Sequence, residues 1–129
     1  RTPLAGRVLL VEDSLTNQLV TTSCLSELGL ECDMADTGEQ ALQMQSNGYR
    51  VVLMDCGLPG MDGYEATRLW RAREKVDGSP PVPIIALTAD TLEGTRERCL
   101  GAGMNDYLAK PFHLSDLATC LHGVLGNAG

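Results

Sequence analysis

Five short, mostly apolar segments, Arg7 to Val11, Glu31 to Ala35, Val51 to Met54, Pro83 to Leu87 and Asp106 to Leu108, alternate along the chain with longer stretches of helical spacing. The first, third and fourth read as continuous apolar runs, the pattern of strands covered on both faces in a parallel sheet. Helix starts are predicted where Thr37 precedes Gln40, Asp62 precedes Glu65 and Asp90 precedes Glu93, each an N-cap acceptor three residues before Glu or Gln. Gly29, Gly48 and Gly101 are predicted helix stops. In the last helical stretch Leu114, Leu117, Ala118, Leu121, Val124 and Leu125 share one face, which should pack on the sheet. The segment DGSPPVP, Asp77 to Pro83, is predicted to loop out before the fourth strand. Strands alternating with helices predict an α/β doubly wound fold, a parallel sheet with helices on both faces.

Composition narrows the functions this fold could serve. The 129 residues suit one domain, and 43% hydrophobic with 21% charged residues is ordinary for a soluble globular chain. A net charge of -7 and only 4% aromatic residues argue against direct nucleic-acid binding, by phosphate neutralisation or by base stacking. No apolar run approaches the ~20 residues of a membrane span, so no direct membrane contact is expected. The five cysteines, Cys24, Cys32, Cys56, Cys99 and Cys120, form no CxxC pair. That argues against a disulfide framework or a zinc site and for a reduced cytoplasmic setting. His113 and His122 lack metal-ligand spacing and are read as helix residues.

In an open parallel sheet, ligands bind outside the carboxyl ends of the strands. Glu12 and Asp13 follow the first predicted strand, Asp55 the third, Thr88 the fourth, and Lys110 with Pro111 the fifth. Each alone is common at a strand end, where Asp and Thr cap helices and Lys is solvated. All in order on one edge, they make a candidate site. Crowded carboxylates repel unless a cation sits among them, and a hard oxygen-rich site with few protein ligands suits Mg2+. A lysine and a hydroxyl opposite them could stabilise a transferring phosphoryl group, with Asp55, after the central strand, as its acceptor.

The stretches VLLVEDS (Val8 to Ser14), VVLMDCGLPGMDGYEA (Val51 to Ala66), IIALTA (Ile84 to Ala89) and AGMNDYLAKPF (Ala102 to Phe112) resemble the receiver domains of two-component response regulators. The resemblance implies a flavodoxin-like five-stranded sheet of order 2-1-3-4-5, with a core from Arg7 to about Leu125. It implies that Asp55 accepts a phosphoryl group from a phosphohistidine, and that Glu12, Asp13, Asp55 and the carbonyl of Gly57 hold Mg2+. Lys110 would pair with a phosphoryl oxygen, Thr88 would swing toward it with Tyr107 turning in behind, and Lys110–Pro111 would be cis. Gly57 and Asp90 would tune the phosphoryl lifetime.

The implied output is a shift of the fourth helix (about Thr91 to Gly101), fifth strand and fifth helix. Gly94 and few apolar residues make the middle of that fourth helix look weakly held. Self-dephosphorylation is the expected hydrolytic step, and any kinase activity would belong to a parent chain. Cys56 should pack into the core.

LAGRVLLVEDSLTNQLV (Leu4 to Val20) and MDCGLPGMDGYEATRLWR (Met54 to Arg71) are most similar to receivers of hybrid sensor histidine kinases. In that setting the partners are the kinase's own phosphohistidine and a histidine phosphotransfer domain. With Arg1 in first place, the chain is expected to be one domain of a longer protein, the cytoplasmic part of such a kinase. One alternative is a receiver acting as an interaction module without phosphorylation. A Mg2+ phosphohydrolase is disfavoured because Gly57 cannot supply a second acid.

Overall fold

Each strand is followed by a helix: β1 (Arg7–Val11), α1 (Leu15–Glu27), β2 (Glu31–Ala35), α2 (Gly38–Met44), β3 (Val51–Asp55), α3 (Gly63–Asp77), β4 (Ile84–Thr88), α4 (Thr95–Ala102), β5 (Asp106–Ala109) and α5 (Leu114–Leu125). This is a computed structural model, and it describes residues 4–89 and 92–125. The strands pair in parallel in the order β2-β1-β3-β4-β5. The chain therefore reverses direction across the sheet between β1 and β3, and the crevice at their carboxyl ends is the switch point of the topology.

Strand alternation sorts the core into two layers. Leu9, Val11, Val52, Met54, Ile84 and Ala86 point toward α2, α3 and α4, where Trp70 is the largest buried side chain. Val8, Leu10, Val51, Leu53, Ile85 and Leu87 point to the other face, where Leu25, Leu117, Leu121 and Leu125 cover them. The unbroken apolar runs of β1, β3 and β4 are thus explained, because both faces of these strands are buried. On α5 the predicted stripe faces the sheet, with Leu114 and Val124 half-buried and Cys120 added to it.

Several boundaries differ from the expected ones. Asp55 and Thr88 are the last residues of their strands rather than the first beyond them, since they pair with Leu87 and Ala109 in the ladder. Pro83 lies outside β4, because it has no N–H to donate. Asp77 still belongs to α3, which stops at Gly78. Thr37 and Asp62 cap as predicted, accepting from the N–H groups of Gln40 and Glu65. Gln40 reaches back to the N–H of Asp36 instead of that of Thr37.

The fourth helix is the largest departure. It begins at Thr95 after Gly94 and holds eight residues, so Glu93 precedes it and Gly94 is its cap rather than its middle. Asp90 and Thr91, in the predicted capping pair and start, lie outside the described residues. Gly101 is inside α4, and the stop is Gly103 at φ 106. There the N–H groups of Gly103 and Met104 reach back to Leu100 and Cys99, a turn that a side chain at Gly103 would strain. His113 stands just before α5, its carbonyl accepting from Leu117, while His122 lies in the last turn. Among the described residues, no helix is long and apolar enough to cross a membrane.

Candidate functional site

The carboxyl ends of β1, β3, β4 and β5 bring the predicted residues to one place. Glu12 continues the β1 ladder by donating its N–H to Ala35 at 3.0 Å. Its side chain then turns under the start of α1, where Oε2 accepts from the N–H of Ser14 at 3.1 Å. Ser14 in turn caps α1 by accepting from Asn17. Glu12 is 1% and Asp55 5% exposed, whereas Asp13 faces solvent. Each of the three offers a carboxylate oxygen, and these oxygens lie within 4.8 Å of one another.

Lys110 answers this negative charge from the end of β5. Its Nζ lies 3.1 Å from Asp55 Oδ1 and 3.3 Å from Glu12 Oε1. Asp55 Oδ1 also accepts from the N–H of Gly57 at 3.0 Å, so the turn after β3 orients the carboxylate. Burial lowers the Lys110 ammonium, but hydrogen bonding and attraction to Asp55, with Glu12 adding to both, outweigh it and hold the group above its ordinary value. Lys110–Pro111 is cis, as expected.

Thr88 and Lys110 line a cavity of about 340 Å³ with Asp55, Cys56, Gly57, Tyr64, Ala89 and Arg98. Tyr107 does not share that wall; half-buried on β5, it packs against the α2–α3–α4 layer. Cys56 packs into the same layer as predicted, and burial pushes its thiol up to about 12, a poor nucleophile at neutral pH. A larger cavity of about 620 Å³ lies at the opposite end of the sheet, between Tyr49, Trp70 and Pro80 to Pro83. It is far from the carboxylates, and its one buried acid, Glu74, is already engaged by Arg71, the Trp70 indole and the N–H of Val82.

One supporting residue escaped the sequence reading. Gln18, buried on α1, donates from Nε2 to the carbonyl of Glu12 at 2.6 Å and to Asp36 Oδ1 at 2.8 Å. It thereby ties α1 to the ends of β1 and β2. The only signal was a polar residue in the first turns of a helix of weak amphipathicity, which does not distinguish a buried tie from a solvated amide.

Three carboxylates, a lysine and a hydroxyl thus stand together at this switch point. The sequence model described as the response regulator receiver domain matches residues 8–122. The chain belongs to the response regulator receiver domains. This receiver is 40% identical over 120 residues to hybrid signal transduction histidine kinase B of Dictyostelium discoideum, covering 86% of the chain and 6% of that relative. The receiver spans 6% of that relative's length and 16% of the length of histidine kinase 5 of Arabidopsis thaliana.

Among solved structures, it superposes with a TM-score of 0.84 and 46% identity on the receiver domain of a sensor histidine kinase from Pseudomonas aeruginosa PAO1. The match covers 96% of this chain and 100% of that one, a structure with a magnesium ion coordinated in its active-site cleft. A TM-score of 0.88 with 32% identity relates it to the receiver domain of Saccharomyces cerevisiae Ssk1, crystallised with the histidine phosphotransfer protein Ypd1. There 95% of this chain and 90% of that chain are covered. The receiver is thus a domain of two-component signalling with the five-stranded order the family resemblance implied.

The crowding of acids has a measurable cost. Burial, followed by Asp55, raises the Glu12 carboxyl above its ordinary value, against the opposing pulls of the Ser14 N–H and Lys110. A carboxyl raised on folding binds its proton more tightly in the folded state, so in chelator-treated protein stability falls as pH rises through its titration toward neutrality. Glu12→Gln removes that cost. In EDTA at pH 7 the variant is expected to melt at a higher temperature than the wild type; a lower one would mean that the Lys110 pair outweighs the crowding.

Proposed function

We propose that the receiver takes a phosphoryl group from a phosphohistidine onto Asp55. The observation that carries this reading is the environment of one carboxylate: Asp55 is buried, lies within reach of two other acids, and has Oδ1 held by both Lys110 and the Gly57 N–H. In this reading Oδ2 attacks phosphorus, the bond from phosphorus to the histidine nitrogen breaks, and the imidazole leaves with the electron pair. Such a transfer needs chiefly positioning and charge stabilisation. Lys110 can move from the carboxylates to a phosphoryl oxygen, and the Thr88 hydroxyl can donate to another. Tyr107, half-buried on β5 two residues before its last pair with Thr88, would then follow Thr88 inward as the switch.

The donor set fits a hard divalent cation. Glu12, Asp13 and Asp55 converge with no nitrogen or sulfur ligand among them, and the single charge of Lys110 cannot neutralise all three. These residues, with the carbonyl of Gly57, would hold Mg2+. When bound, the ion would neutralise the acids and draw negative charge off the phosphoryl oxygens.

The surface beside the site suits a protein donor. Leu15 and Leu19, one turn apart on α1, are 69% and 61% exposed, and Val20 is exposed next to them. An apolar stripe opening directly after Asp13 and Ser14 gives a helical partner a place to pack while its histidine reaches Asp55. The yeast complex with a phosphotransfer protein and the kinase relatives favour two such partners, a kinase's phosphohistidine and a histidine phosphotransfer protein.

The test is intact-protein mass after incubation with Mg2+ and acetyl phosphate, or with a phosphorylated histidine phosphotransfer protein. A gain of one phosphoryl mass, lost in EDTA, is expected. No gain from either donor, together with no Mg2+ binding, would replace this reading by that of an interaction module that works without phosphorylation.

A further inference from the structure

Of the three clustered acids Asp13 is the one that faces solvent, so its aim depends on the backbone around it. That backbone is held on both sides. Before Asp13, the Glu12 N–H donates to the carbonyl of Ala35 at 3.0 Å, and the Glu12 carbonyl accepts from Gln18 Nε2 at 2.6 Å. After it, the carbonyl of Ser14 accepts from the Gln18 N–H at 2.9 Å. Gln18 thus grips the loop on either side of Asp13, once through its side chain and once through its backbone.

The side-chain bond is the one that reaches the site. A peptide unit is planar, so a donor on the Glu12 carbonyl fixes the whole Glu12–Asp13 peptide, and with it the Cα from which the Asp13 carboxylate departs. The same amide nitrogen also donates to Asp36 Oδ1 at 2.8 Å, just past the end of β2. Two acceptors leave one orientation for the amide, its nitrogen toward both. Burying a glutamine to 7% exposure would cost stability unless its hydrogens were used, and both are.

We propose that Gln18 is a positioning residue for the cation site, holding the Glu12 carbonyl from α1 so that Asp13 is aimed at the ion it would share with Glu12 and Asp55. This rests on the reading of the three acids as a Mg2+ site. Residues that orient a metal ligand without touching the metal are commonly worth about tenfold or more in affinity.

Gln18→Met tests this, because it keeps the length and the neutral charge of the side chain while removing both donors. Titration with Mg2+ followed by amide NMR should show an affinity about tenfold weaker than that of the wild type. Without metal, the Asp13 amide nitrogen of the variant should move upfield, since its peptide loses the hydrogen bond that polarised it. Phosphoryl incorporation from acetyl phosphate should need about tenfold more Mg2+ to reach half its maximum, while the rate at saturating Mg2+ changes far less. Gln18→Asn, one methylene too short to span both acceptors, should lose affinity in the same direction and serves where the methionine variant does not fold. Unaltered Mg2+ affinity in the variants would overturn the assignment, as would a loss of rate that saturating Mg2+ does not restore. Failure of the wild type to bind Mg2+ in the same titration would instead overturn the cation reading beneath it.

Discussion

Asp55→Asn is expected to abolish phosphoryl incorporation while the fold stands. An amide has the shape of the carboxylate, so its carbonyl can still accept from the Gly57 N–H, and the backbone pairing of residue 55 with Leu87 is untouched. What disappears is the anionic nucleophile and one of three crowded negative charges. Unfolding in urea should therefore be close to that of the wild type, since the lost Lys110 pair is offset by relief of repulsion from Glu12. Mass measurement after acetyl phosphate treatment reads the first effect, and persistent acid-labile labelling of the variant would place the acceptor elsewhere.

Gly63→Ala is expected to damage both stability and the site, and for a reason no side chain reveals. Gly63 opens α3 against the end of β3, with its N–H on the carbonyl of Cys56. A Cβ there would overlap the carbonyl oxygen of Asp55 and stand 2.9 Å from its carbonyl carbon and 3.0 Å from Cys56 Cα. All three are backbone atoms and cannot rotate away, so the helix must lift off the strand that carries the phosphoacceptor. Overpacking against backbone should cost about 3 kcal/mol, measurable in urea, with slower phosphoryl incorporation in the fraction that folds. Gly101, inside α4 with open space where its Cβ would go, is the contrast: Gly101→Ala should stabilise by roughly 0.5–1 kcal/mol. Equal effects at the two positions would show that close packing at the β3–α3 junction is not what Gly63 serves.

The gathering of these residues was legible because strand ends in a parallel sheet fall on one edge whatever the loops do. Once the apolar runs of β1, β3 and β4 were read, the positions after them had to converge, and Glu12, Asp13, Asp55, Thr88 and Lys110 do. Tyr107 was read from family resemblance alone, and the structure keeps it outside the cavity wall, packed against the core. The start of α4 was misplaced because three signals of similar strength, Asp90 with Glu93, Gly94 and Gly101, compete within a dozen residues of weak helical pattern. The chain settled this by burying Thr95, Cys99 and Ala102 and by turning at Gly103.

What the amino-acid sequence determined by itself was local: strands from runs of apolar residues, helix starts from Thr37 and Asp62, and the face of α5 from its spacing. Contacts between separate elements were decided only by the tertiary structure. The tie from Gln18 to Glu12 and Asp36, the seat of Arg98 over Tyr64, and the approach of Gly63 to Asp55 all belong to this class. The physical reason is that periodicity reports which face of an element is buried, whereas a hydrogen bond or a steric limit depends on where a second element lies within a few tenths of an ångström.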